Sequence, residues 1–235
     1  MIRKLRCPTT STQLCKRAVA GKLAMAALLC LGLASLAQAQ QSGVHYWHQG
    51  VMPPGAIGSR QLQRGGPLPG YYQPVEIKAP SGALISLAVD GQFDEPQAAP
   101  RRAGMLIGSV YRFRVTNIPH AEGMEVFPTI EVIDRLYAPI DQQVRFAIPI
   151  ELAQQDLELA MSGKFVTRVI YLEDSRDAVA VRSNAKEQMW FEVPPGYDPL
   201  AVADGLGRPV AILRMGARLP DQTFDSGFYF GSPPW

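Results

Sequence analysis

The heptapeptide VYRFRVT, Val110 to Thr116, decides the fold class. Tyr111, Phe113 and Val115 fall on one side of the chain, and Arg112 and Arg114 fall on the other. That strict alternation has the two-residue period of a β-strand with one face in the core and one face outside. The pattern recurs on both sides of it. Val144 to Ile150 places Val144, Phe146, Ile148 and Ile150 on one face, with Arg145 opposite. Pro149 marks this run as a strand end or an edge strand, because proline cannot donate to a ladder. Phe165 to Leu172 (FVTRVIYL) is apolar on both faces except at Thr167 and Arg168, the pattern of a central strand. Runs at 75–79, 83–90, 126–136, 187–193 and 208–215 raise the expected number of strands to about eight.

Two short helices interrupt the strands. Ala153, Leu157, Ala160 and Met161 recur at helical spacing, and Gly163 stands where a left-handed residue would end the helix. Asp198-Pro199 is an N-cap followed by proline at the first helical position, which opens a turn through Leu200 and Ala203. Most gaps between strands are too short for the helical crossovers of a parallel sheet. The expectation is therefore an all-β fold, an antiparallel β-sandwich of Ig-like or Greek-key type with two short helices.

The regions outside the strands have their own signatures. Arg3, Lys4, Arg6, Lys16, Arg17 and Lys22 precede an apolar run, Leu23 to Leu36, and Ala37-Gln38-Ala39 follows it. A basic start, a short apolar stretch and an A-x-A end predict a secretory signal peptide over 1–39, cleaved before Gln40. The apolar run of 14 residues is shorter than the ~20 that a spanning helix needs. Cys30 follows Leu28-Leu29 inside that run, which does not suit a lipid attachment site. Cys7, Cys15 and Cys30 are the three cysteines of the chain, so cleavage leaves a cysteine-free mature protein with neither disulfides nor thiol chemistry. Cleavage also removes six basic residues and no acidic one. The balance moves from 23 basic against 21 acidic to 17 against 21, a net charge of −4. Such a chain lacks the basic footprint of a nucleic-acid binder.

Residues 40–73 hold 11 Gly or Pro in 34 positions and read as a flexible leader. Residues 74–220 should form the β-sandwich domain, and 221–235 an aromatic C-terminal tail, flexible like the leader.

Four stretches carry a resemblance. They are LPGYYQPVEIKAPSGALISLA (68–88), VFPTIEVIDRLY (126–137), GKFVTRVIYLED (163–174) and DPLAVADGLGRPVAILRMG (198–216). They resemble a family of exported proteins of planctomycete bacteria that has no established activity, and the likeness covers most of 66–220. It implies a secreted or cell-envelope location and carries over no functional residue.

Chemical constellations are sparse. His45 and His48 sit three apart in the leader, but a zinc site wants three or four ligands, and we assign no metal there. Glu173, Asp174 and Asp177 lack the spacing of a calcium loop and read as a solvated turn, as do Asp90-Gly91 and Asp94-Glu95. Glu122, Glu125, Glu131 and Asp134 are the carboxylates a hydrolase would draw on, while Glu131 with Arg135 also fits ordinary pairing on one strand face. Ser162-Gly163-Lys164 lacks the glycine spacing of a P-loop, and His120 is the one histidine of the domain. Aromatic residues form the best binding signal: Tyr71 and Tyr72 in the leader, and Phe228, Tyr229 and Trp235 in the tail.

These readings predict a non-catalytic exported protein with a structural or protein-interaction role at the cell envelope. It would be periplasmic, envelope-bound or extracellular, with no cofactor, no nucleic acid and no membrane span after cleavage. Its partner would be an envelope protein or a polysaccharide. A carbohydrate-binding module using the tail or loop aromatics is the alternative, and a carboxylate-based hydrolase is a second one.

Overall fold

The computed structural model describes residues 53–176, 190, 192–194, 196–216 and 234. Within it the opening heptapeptide is a strand with the expected bounds, Val110–Thr116, and Tyr111, Phe113 and Val115 are all buried. In chain order the strands are β1 Tyr72–Lys78, β2 Leu84–Val89, β3 Gln92–Phe93, β4 Gln97–Ala98, β5 Arg101–Leu106, β6 Val110–Thr116, β7 Thr129–Val132, β8 Ile148–Glu151, β9 Val166–Glu173 and β10 Gly207–Met215. The helices are α1 Ala56–Gln63, α2 Gln154–Met161 and α3 Pro199–Leu206.

The fold is mostly β and has two sheets. One has the order β5-β1-β8, and the other runs β3-β2-β6-β7-β10-β9 with β4 also on β2. Inward residues of both sheets meet in one cluster that holds Val75 and Ile77, Ala103 and Met105, Ile148 and Ile150, Phe113, Ile130 and Leu213. Two sheets facing a shared core are consistent with a β-sandwich. Each fully buried aliphatic or aromatic side chain there contributes about 1.5–3 kcal/mol. One pair departs from the antiparallel expectation: β1 and β8 run parallel, Val75 opposite Ile148 and Ile77 opposite Ile150. About seventy residues separate these two strands, ample for a crossover.

A second, smaller cluster lies on the other face of the larger sheet, where Ile57 of α1, Leu200 of α3, Ile133 and Ile212 pack together. Helix α1 falls in the segment expected to be a flexible leader, and that expectation fails over residues 56–63. The Gly-rich composition hid a packing device: a Cβ on Gly58 would lie 2.7 Å from the Gly108 Cα, so two glycines allow the helix to touch the β5–β6 turn. The Gly58 N–H, a first-turn donor with no intrahelical partner, donates to Glu131 Oε1 at 2.8 Å. The other oxygen of Glu131 accepts from Arg214 Nη1 at 2.7 Å. Glu131 and Arg214 are 0% and 3% exposed, so this is a buried ion pair joining β7, β10 and α1. It replaces the surface pairing of Glu131 with Arg135 that strand spacing suggested.

Three further strand readings are corrected. Among the described residues β9 ends its sheet instead of lying inside it. The run 144–150 contains a 3-10 turn, Gln143–Arg145, and only its last part is strand; Val144 and Phe146 are exposed. Of 126–136, Thr129–Val132 is the strand, with Val126 in an isolated bridge to Val115. Most of 187–193 lies outside the described residues. Helices α2 and α3 appear where expected, and the Asp198 carboxylate caps α3 by accepting from the Leu200 N–H at 2.9 Å.

Candidate functional site

A cleft lies beside β9, which stands at a sheet edge among the described residues. One wall of this cleft, about 1010 Å³ in volume, is the run Phe165 to Tyr171. The lining also includes the ends of β1 and β8 with the first turn of α2, from Lys78 to Pro80 and from Glu151 to Asp156, and Trp190, Glu192 and Val193.

An ion pair organises its floor. Arg168 shares a sheet face with Leu213, its antiparallel partner on β10, and so points inward toward α2. There its Nε and Nη2 donate to Asp156 Oδ2 and Oδ1 at 3.0 and 2.5 Å. This two-pronged geometry fixes both side chains, and Asp156 is all but sealed from solvent at 3% exposure. The guanidinium then lies 4.6 Å from the centre of the Trp190 ring, a cation–π contact that fixes an exposed indole over the cleft. Phe165, also exposed, immediately precedes β9. Burial and the neighbouring Glu173 carboxylate raise the pKa of Tyr171 above its ordinary value. The cleft thus offers an edge strand, two exposed rings and a preorganised salt bridge.

The residues singled out from sequence fall elsewhere. Tyr71 and Tyr72 are adjacent at the start of β1: Tyr71 packs on the core below Arg135, 5.5 Å from its ring centre, and Tyr72 is exposed. Phe228, Tyr229 and Trp235 lie outside the described residues, as do His45 and His48. His120 is exposed in a turn with φ of 60°. Asp174 folds back on Arg176, whose guanidinium and N–H hold its carboxyl below the usual range; Asp177 is outside the described residues. Asp90-Gly91 is the expected turn, between β2 and β3, with both residues at positive φ. Asp94 is more than a turn residue: it accepts from the Leu87 N–H at 2.7 Å and pairs with Arg101.

The four carboxylates considered for hydrolysis do not form a pair. Glu125 is held by Arg114 at 3.6 Å, Glu131 by Arg214 and Asp134 by Arg208, while Glu122 is exposed. Sequence reasoning missed Asp156 and Trp190. The one available signal was Arg168, a cation interrupting an apolar run, which needs a partner whenever the strand is covered. No family model, curated protein or solved structure matches this chain.

Proposed function

We propose that this chain is an exported, non-catalytic sandwich of Ig-like or Greek-key type that acts at the cell envelope by holding a partner polypeptide along β9. The observation that carries the reading is the position of β9 at the end of its sheet, forming one wall of the cleft beside two exposed aromatic rings. An edge strand presents a row of backbone donors and acceptors, and an extended segment can add to it as a further strand. Among the described residues no strand pairs with that edge. The signal-like first 39 residues and the resemblance to exported planctomycete proteins support the location.

A second reading, a carbohydrate-binding module, is favoured by Trp190. Its ring is backed by Arg168, which Asp156 locks in turn, and a fixed exposed indole is a stacking surface for a sugar ring. One experiment separates the two. A photo-crosslinking residue is placed at Phe165 in cells, with the same residue at exposed Glu122 as the control. A polypeptide adduct at 165 and none at 122 supports the first reading, and a polysaccharide adduct at 165 supports the second. Equal labelling at both positions refutes both.

A further inference from the structure

We infer that the loop Leu136–Phe146 is a membrane-contact element that dips into an anionic lipid surface. The loop is built to protrude. Buried Gln73 pinches its two ends together: Gln73 Oε1 accepts from the Leu136 N–H at 2.7 Å, and Nε2 donates to the Phe146 carbonyl at 3.3 Å. Between these ends, turns closed by Gln142 N–H to Pro139 O and Arg145 N–H to Gln142 O keep the span short and ordered. This is the anatomy of a compact Ω-loop, which folds on its own side chains and is frequently functional.

Its apolar residues nevertheless face outward. Ile140 is 84% exposed, Val144 73% and Tyr137 67%, and Phe146 is exposed as well. A loop this well held could turn such residues inward, so their exposure calls for an apolar partner.

The flanking charge identifies that partner. Arg135 and Arg208 both lie against the Tyr137 ring, at 4.4 and 4.9 Å from its centre, and Arg135 reaches the Tyr71 ring too. Arg208 is neutralised by Asp134, but Arg135 and Arg145 have no carboxylate partner among the described residues. Asp141 is the one acidic residue on the loop. Exposed aliphatic side chains beside tyrosines and arginines match the chemistry of a bilayer surface. Acyl boundary takes the apolar groups, and the headgroup level takes amphipathic rings and cations. A lipid phosphate supplies the counter-charge that these two guanidinium groups lack. A stable protein interface would instead bury about 800 Å² on each partner. Four side chains on one short loop fall below that area.

Hydrogen exchange on the full chain tests this locally, without interference from the apolar N-terminal stretch. With vesicles of phosphatidylcholine and phosphatidylglycerol at low salt, amides of 136–146 should exchange at least fivefold more slowly. Pure phosphatidylcholine should give weaker protection, and the I140S/V144S variant should lose it while exchange elsewhere is unchanged. Unaltered exchange in the loop overturns the inference, and so does protection that survives in the double variant. Protection by an added protein but not by vesicles overturns it in favour of a protein partner.

Discussion

Replacing Glu131 with glutamine tests how the outer face of the larger sheet is held. The substitution preserves shape and leaves one carbonyl oxygen, which can accept from Gly58 or from Arg214 but not from both. It removes the carboxylate partner of a guanidinium that is 3% exposed. Nε and Nη2 of Arg214 already lack hydrogen-bond partners among the described residues, so no described group nearby takes over the charge. An uncompensated buried charge of this kind costs about 3–5 kcal/mol. Against a total stability of about 5–15 kcal/mol that is a large fraction. With an m-value near ~2 kcal/mol/M, the urea midpoint should fall by about 2 M. Arg214→Met alone should also destabilise, because it strands the carboxylate. In the variant carrying both substitutions, the new glutamine still caps Gly58 and the new methionine is apolar. Stability should therefore return to within about 1 kcal/mol of the parent. The assay is urea unfolding of all four proteins. A loss below about 1 kcal/mol for Glu131→Gln, or a double variant no more stable than that single one, refutes the account.

Three other outcomes follow from the structure. Gly58→Ala gains about 1 kcal/mol of helix propensity but drives a Cβ to 2.7 Å from backbone, and calorimetry should show a Tm lower by about 2–8 °C; an unchanged or higher Tm would show that α1 can shift outward. Asp198→Ala removes the cap of α3 and should cost about 1 kcal/mol in chemical denaturation, with no change contradicting the capping geometry. Desolvation by burial raises the pKa of Tyr111 above 10.0, so the folded state keeps a proton that the unfolded state releases earlier. The resulting stabilisation is whole below pH 10 and drains away as pH rises through the folded-state value. Tyr111→Phe loses the bond from the Leu106 N–H at all pH values, yet its stability should decline less steeply above pH 10; parallel declines would reject the assignment.

Strands with one buried face were legible in sequence, because alternation reports burial directly. β6 and β10 were found almost to the residue. β9 shows where that signal misleads. It is apolar on both faces because α2 lies against one and α3 against the other, and covered faces say nothing about neighbours in the sheet. In Val144–Ile150 the alternation continued through a 3-10 turn, whose exposed apolar residues mimic strand periodicity. β5 escaped notice because Gly104 and Ala103 dilute its pattern, although Ala103 and Met105 do face the core. Helix α1 was lost for a related reason. Its glycines read as flexibility when Gly58 is needed for close approach. The cleft could not be read at all, since Asp156 and Arg168 meet only once α2 folds over the end of β9.

The parallel pairing of β1 with β8 has a consequence for the order in which the chain can assemble. As synthesis proceeds, β1 finds its first partner early, since β5 follows within about thirty residues. Its other side waits until Glu151 has emerged. During that interval a strand with Val75 and Ile77 on one face is half-paired and open to other chains. Pro74, Glu76 and Lys78 alternate with those residues, and a proline and two charges are poor templates for a foreign strand. β1 therefore carries its own protection for the time it must stand alone, and any chain stopped before residue 148 would depend on that protection permanently.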